Sequence, residues 1–332
     1  MSDLRLSLAC WDYDRTRALR EGTVRPAGID LTYLTLPPEQ TFFRMLRFGE
    51  FDAAEMSLSS YVLTLNQSPS PYVAIPVFPS RAFRHGGIYV PADGRVREPA
   101  DLAGAVVGVP EYQMTAAVWI RGILAEHHGV PADRVSYRTG GLHEAGRHEK
   151  VPLDLPARFD VRPIGDGQTL DGLLRSSAID ALYSARAPRS FDPARPDGPV
   201  RRLFPDVVAA EEEYARQTGI FPIMHTLVLR RAVYERHPWV ARSLLDAFTD
   251  SKRLAYPELL EVTALKTMLP WGVPAAERTM ALLGTDFWPY GVAANRVTLD
   301  AFLRYSHDQG LAAKPWRPED LFVPETLEST LV

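Results

Sequence analysis

The sequence predicts an α/β protein built from mostly parallel sheets with helices on both faces. Short apolar runs alternate with segments whose apolar residues recur at helical spacing, the order expected of parallel strands joined by crossover helices. The alternation runs through one set of elements, passes a charged segment from Arg81 to His85, and then begins again. At 332 residues the chain is long enough for two such units.

The first set opens with the strand "LRLSLAC" (Leu4 to Cys10), followed by a helical stretch, "DYDRTRALREG", that Gly22 stops. "IDLTYLTL" is the second strand. In "PPEQTFFRMLRFGE", Phe42, Phe43, Leu46 and Arg47 fall at helical spacing behind Pro38 and Glu39. "FDAAEMSL" is a short third strand, and "SSYVLTLNQ" a short helix that Ser59 or Ser60 would cap. "YVAIPVF" completes the set. The second set holds the strand Ala105 to Val109, a helix in "MTAAVWIRGILAEHHG" ended by Gly129, the strand "RVSYRT", the helix "TLDGLLRSSA" and the strand "IDALYSA". Later come the strand "HTLVLRR" and the helix "HPWVARSLLDAFTDSKRLAY", with Pro238 near its start. The long stretch Gly140 to Asp160, rich in glycine, proline and scattered charge, reads as a loop. Two α/β units joined by crossing segments would put a cleft between them.

Hydrophobic residues make up 46% of the chain and charged residues 23%, an ordinary globular balance. The formal net charge of −4 supplies no basic field for nucleic acid, so a local basic cluster serves a small anion better than a polymer. No stretch approaches the roughly 18 apolar residues of a membrane span. "MSDLRLSLAC" puts Asp3 and Arg5 where a secretory leader needs an apolar core, so the expected location is the cytoplasm. The expected partner is a small molecule, with neither nucleic acid nor membrane, and a homo-oligomer stays open.

Ligands of open α/β sheets sit beyond the carboxyl ends of the strands. Arg81, Arg84 and His85 follow such an end in "VFPSRAFRHGGIYVP", and Arg186 follows another. A guanidinium fork holds a carboxylate bidentately, although each arginine would serve equally in a salt bridge. His85 and His225 are the acid or base candidates, because imidazole titrates near neutral pH. Glu55, at the end of the third strand, would accept a proton, orient a histidine or pair with an arginine. Ser57, Ser59 and Ser60 offer hydroxyls and helix-terminal amides, or simple caps. Tyr112, Gln113 and Thr115 hold the matching turn of the second unit, where backbone amides would close over an anion or a ring. Trp11, Tyr13, Asp14 and Arg15 hold the turn after the first strand, where the aromatic rings would stack on a ligand or pack internally.

Other signals point nowhere specific. His143, Glu144, His148 and Glu149 fit no standard zinc spacing and read as solvated charge. His127 and His128 end a helix, where positive charge suits the dipole. The lone Cys10 sits in an apolar strand and reads as core. No GxSxG, GxGxxG or Walker pattern occurs.

The stretches "GEFDAAEMSLSSYV", "RAFRHGGIYV", "GVPEYQMTAAVWIRGIL" and "IDALYSARAP" resemble the 4,5-dihydroxyphthalate decarboxylases, over nearly the whole chain. The resemblance implies the two-lobed type II periplasmic-binding-protein-like fold. The first lobe would be discontinuous, residues 1–88 and 224–332, the second lobe would be 89–223, and the substrate cleft would lie between them. "GGIYV" and "IMHTLVL" would be the crossing strands. "FDAAEMSLSSY" followed by "DLAGAVVGVP" is shared more widely, which leaves other classes standing: a cytoplasmic solute-binding or sensor protein, a pyrimidine-precursor synthase, or a chorismate-type dehydratase.

The implied reaction removes one carboxylate of 4,5-dihydroxyphthalate, or of a related hydroxylated aromatic acid, as carbon dioxide. Each carboxylate is para to a hydroxyl, so loss of that hydroxyl's proton raises electron density at the carbon that must be protonated. The phenol supplies the electrons, so neither a cofactor nor a metal is expected. Arg81, Arg84 or Arg186 would anchor carboxylate, and His85, which lies beside the arginines, or His225 would deliver the ring proton.

Overall fold

The computed structural model describes residues 3–195 and 197–327. They form two compact units. One comprises the chain up to Arg81, Ala215–Leu299 and the stretch from Arg317; the other comprises Ala82–Tyr214 and Asp300–Trp316. The sequence reading assigns residues 1–88 and 224–332 to the first lobe, and the outermost of these, 1–2 and 328–332, lie outside the described residues. Residues 300–316 instead pack within the second unit. Gly122 explains the difference: a Cβ there would stand 2.1 Å from the Tyr305 ring, so only glycine lets that ring lie on the helix Thr115–His128. Phe302 packs on Trp119 of the same helix, and Gln309 accepts from the buried Arg121 at 2.7 Å. A contact nearly two hundred positions long in sequence leaves no local trace.

The strands in chain order are β1 (Leu4–Cys10), β2 (Ile29–Thr35), β3 (Ala53–Ser57), β4 (Tyr72–Arg81), β5 (Ile88–Pro91) and β6 (Val106–Val109). They continue as β7 (Ser136–Thr139), β8 (Val161–Pro163), β9 (Ala181–Tyr183), β10 (Val200–Arg202) and β11 (Ile223–Arg230). The first unit's sheet has the order β2-β1-β3-β11-β4 and the second unit's β10-β5-β9-β6-β7-β8. Each sheet is parallel but for one reversed strand. That strand is β11 in the first, antiparallel to β3 and β4, and β5 in the second, antiparallel to β9 and β10. These are the two strands expected to cross, "IMHTLVL" and "GGIYV".

The first unit's core sets Leu6, Leu8, Ile75, Leu227 and Leu229 of the sheet against the helix Trp239–Leu259. That helix buries Val240, Ala241, Leu244, Leu245 and Phe248, a stripe at spacings of one, three and four. Each large side chain so buried contributes roughly 1.5–3 kcal/mol of transfer free energy. The second unit's core gathers Leu170, Leu174, Ile179 and Leu182 around Tyr89 and Val200.

β4 lies at the edge of its sheet and carries Pro76 and Pro79, which cannot donate to a ladder. Its pairing with β11 shifts register on both sides of His225. The irregularity frees backbone carbonyls of β4 for other partners: Gly291 N donates to Pro76 O, Trp288 Nε1 to Phe78 O and Arg15 Nε to Pro79 O, at 2.7–2.8 Å.

Candidate active site

The first unit assembles a buried carboxylate and an imidazole. Glu55 lies on β3 and is fully buried. His225 lies on β11, where its register partner is Ser57 and that of Glu55 is Leu227, so the two side chains are diagonal neighbours on one face. His225 Nδ1 stands 2.6 Å from Glu55 Oε1. The same oxygen accepts the Tyr13 hydroxyl at 2.6 Å, and Oε2 accepts the Trp11 amide at 3.0 Å. Cys10 Sγ, 3.5 Å from Oε2, completes the shell. Burial pushes the Glu55 carboxyl up, but the His225 ring, Tyr13 and the Trp11 amide outweigh it and hold the group below the usual carboxylate range. Burial and the Glu55 charge hold the Tyr13 phenol well above its ordinary value, so it remains a donor.

With Glu55 ionised, Nδ1 of His225 carries the proton of that hydrogen bond, and Nε2 is the ring nitrogen left for another partner. Nε2 meets no hydrogen-bond partner among the described residues. The ring is half-buried, with the edge of Phe42 4.9 Å away, centroid to centroid. This is the arrangement of a positioned base: a fixed tautomer, an orienting anion and an accessible nitrogen.

Arg15 stands beside the pair. Its guanidinium lies between the rings of Tyr13 and Trp288, 4.1 Å from each centroid. Nε is fixed on Pro79 O and Nη1 on Asp14 at 2.9 Å. Nη2 has no partner among the described residues. Trp288, which sequence reasoning missed, lies in the loop after the helix Gly272–Leu283, its Nε1 donating to Phe78 O on β4 as Arg15 Nε does to Pro79 O.

The other expected site residues fall differently. Arg81 is buried, and its fork donates to Phe221 O at 3.0 Å, Pro289 O at 2.7 Å and Asn295 Oδ1. Burial lowers it to about 9, against the charge of Asp286. It ties the end of β4 to the stretch 289–295, with only Nε lacking a partner. Ser57 caps the helix Leu58–Thr64 by accepting from Ser60 N, so the cap is neither Ser59 nor Ser60 as expected; both are buried.

His85, Arg84, Arg186 and the 112–115 turn belong to the second unit. His85 is buried between Phe204 and Tyr214, with centroids 5.2 and 5.3 Å away, and its Nδ1 has no partner. Burial, with His128 and His127 nearby, lowers it to about 4 and keeps the ring neutral. Burial also lowers Arg84, to about 10, against the charge of Glu211, whose Oε1 accepts the Gly86 amide at 3.2 Å. Gly87 has a packing reason: a Cβ there would meet Ser184 O at 2.8 Å. Arg186 is exposed after β9, its amide donating to Ser184 Oγ at 3.1 Å.

Tyr112, Gln113 and Thr115 are buried. The Tyr112 ring lies under the Arg121 guanidinium at 3.9 Å, and its hydroxyl donates to Gln309 O at 3.2 Å. The amides expected to close over an anion already hold one: those of Tyr112 and Gln113 donate to the carboxylate of Glu149. Burial raises Glu149 to about 6. Arg147 and Lys150 fasten the same loop to the buried Glu111. Of the four residues read as solvated charge, Glu144 and His148 are exposed, whereas Glu149 is engaged. Among the described residues no group of three or more His, Cys, Asp or Glu is placed to hold a metal ion, and no helix is long and apolar enough to cross a membrane.

Comparison with known proteins decides the family. The chain is 42% identical over 329 residues, 99% of each chain, to the 4,5-dihydroxyphthalate decarboxylase of Comamonas testosteroni. The chain belongs to the 4,5-dihydroxyphthalate decarboxylase family. A second member, named as the same enzyme in Pseudomonas putida, is 43% identical over 216 residues, 65% of this chain and 83% of that one. No protein-family model matches. Among solved structures, a periplasmic sulfonate-binding protein from Methylobacillus flagellatus KT superposes with a TM-score of 0.55 at 13% identity, over 98% of this chain and 93% of that one. The desulfurization enzyme DSZB superposes at 0.50 and 14% identity, over 98% and 97%. At such identities these neighbours establish the fold alone, that of periplasmic binding proteins. Family membership makes this 4,5-dihydroxyphthalate decarboxylase relative a carboxy-lyase.

Proposed function

We propose that the enzyme decarboxylates 4,5-dihydroxyphthalate to protocatechuate, with the His225–Glu55 pair acting on the phenolic proton. The 2.6 Å contact between His225 Nδ1 and the buried Glu55 carboxylate supports this reading most strongly. A protein that only captures a solute has no use for a base whose tautomer is locked by a buried anion.

Nε2 of His225 takes the proton of the hydroxyl para to the departing carboxylate. Electron density from the phenolate then reaches the ring carbon that bears it. Protonation of that carbon from solvent gives a dienone. The carbon–carbon bond then breaks, its electron pair returns to the ring as phenolate, and the imidazolium returns its proton to that oxygen. One solvent proton is consumed and carbon dioxide released. The Glu55 anion stabilises the imidazolium while it exists, a stabilisation greater in the transition state than in the bound substrate.

Arg15 serves as the anchor for the retained carboxylate through Nη2. Its place between two aromatic rings holds the guanidinium plane still. This reading moves the anchor from Arg81, whose fork is filled, and the proton transfer from His85, which is caged, to Arg15 and His225.

The test is carbon dioxide release across 4,5-dihydroxyphthalate, 4-hydroxyphthalate and phthalate. The reading requires turnover of the first, turnover of the second at a single carboxylate, and none of the third. Tight binding of 4,5-dihydroxyphthalate without release would make the protein a binder, and equal turnover of phthalate would remove the phenol from the mechanism.

A further inference from the structure

Lys252 is the only lysine among the described residues that is buried. It lies on the first unit's long helix, Trp239–Leu259, one turn before Tyr256. A buried ammonium is costly unless its donors are used. Lys252 Nζ donates to Asp286 Oδ1 at 2.6 Å and to Trp288 O at 2.9 Å. The Tyr256 hydroxyl donates to the same Asp286 oxygen at 2.5 Å and accepts the Trp288 amide at 3.1 Å. Burial pushes the Asp286 carboxyl up, but Lys252 and Tyr256 outweigh it and hold the group below the usual carboxylate range. The three side chains thus form one charged network.

Their ties meet on Trp288. It is half-buried and borders a cavity of about 260 Å³ that Arg15, Lys252 and Tyr256 also line. A ring beside open space lacks packing partners on that side, so packing alone leaves it free to tip. Three hydrogen bonds prevent this. Tyr256 and Lys252 hold the Trp288 backbone, and Phe78 O holds the indole through Nε1 at 2.8 Å. The Arg15 guanidinium lies 4.1 Å from the centroid of the ring so fixed.

We infer that Lys252, Tyr256 and Asp286 are positioning residues for the carboxylate anchor: they hold Trp288 so that its ring, opposite Tyr13, keeps the Arg15 fork aimed at the retained carboxylate. This rests on the reading of Arg15 as that anchor. If Trp288 loosens, the long Arg15 side chain loses one wall of its stack and must be ordered again each time substrate binds. The Glu55–His225 pair is held by Tyr13, Trp11 and Cys10 instead. The loss therefore falls on substrate binding and spares proton transfer.

The test is steady-state kinetics with 4,5-dihydroxyphthalate on wild type, Lys252→Met, Arg15→Ala and the double variant, each checked for folding by circular dichroism. Lys252→Met should raise KM about five- to ten-fold with kcat within about two-fold, the signature of lost uniform binding. In the Arg15→Ala background the same change should add less than about two-fold, because the network acts through Arg15. Tyr256→Phe removes one oxygen and keeps the ring. It should raise KM about two- to five-fold, and it carries the prediction if Lys252→Met does not fold. Lys266→Met, at an exposed lysine, should leave both constants unchanged. An unchanged KM in the folded network variants, with that of Arg15→Ala raised, would overturn the inference and leave the anchor standing. Equal rises in both backgrounds would overturn it too, as the sign of a general structural role. A wild-type KM in Arg15→Ala would overturn the anchor and the inference together.

Discussion

Glu55 and His225 are 170 positions apart in sequence, yet Oε1 of one lies 2.6 Å from Nδ1 of the other. The reversed strand β11, running against β3, brings them together. Because the Glu55 carboxylate also receives Tyr13, the Trp11 amide and Cys10, its position is over-determined. A group held by four donors is a rigid support for an imidazole that must neither rotate nor change tautomer.

Removing one donor should therefore weaken the support without abolishing it. Tyr13→Phe is expected to lower kcat by about ten-fold, the worth of a hydrogen bond to a charged group, while the fold is retained. Glu55→Gln should cost more, because it removes the anion that stabilises the imidazolium. Steady-state kinetics with circular dichroism measures both. Equal and negligible effects would mean that the carboxylate is only a structural tie.

Arg15 and Arg81 should respond differently. Arg15→Ala is expected to raise KM for 4,5-dihydroxyphthalate about ten- to hundred-fold, as loss of a charged hydrogen bond of roughly 1.5–3 kcal/mol implies. Arg81→Ala should instead lower Tm, since it removes the hydrogen bonds to Phe221 O, Pro289 O and Asn295 Oδ1. A raised KM for Arg81→Ala at unchanged Tm, with Arg15→Ala unaffected, would reverse the assignment.

The contrast between these arginines shows what the sequence disclosed. The alternation of strands and helices and the place of Glu55 and His225 at strand positions were readable from local pattern. The partners were not. Arg81 looks like a ligand-binding arginine because it follows an apolar strand, but its carbonyl partners come from 140 and 208 positions away. Arg15 looked like one of several lining residues until Pro76 and Pro79 distorted β4 and freed the carbonyl that holds it. Glu149 lies in a loop with no periodicity, so nothing local announced that it would fill the amides of the 112–113 turn. Strand positions follow from side-chain period; which polar groups meet is decided by tertiary packing.

His85 should make the second unit sensitive to acid. Its folded value of about 4 lies below the unfolded value near 6.5, so the fold favours the neutral ring. The contribution is fully present above about pH 6.5 and is lost as pH falls through 4, on the order of 3 kcal/mol in the limit. Hydrogen exchange at the β5 amides should accelerate over that window, and His85→Phe should flatten the dependence. An unchanged pH profile in the variant would show that the ring does not carry this sensitivity.

The central claim is that His225, oriented by Glu55, moves the phenolic proton, and the most direct measurement is single-turnover release of carbon dioxide from 4,5-dihydroxyphthalate by wild type and His225→Gln. The account predicts that the variant binds the substrate within a few-fold of wild type while its rate falls by roughly 10²–10⁴-fold. It further predicts that adding Glu55→Gln to His225→Gln costs little more, because the carboxylate acts through the ring. A folded His225→Gln enzyme that releases carbon dioxide within a few-fold of the wild-type rate would contradict the account.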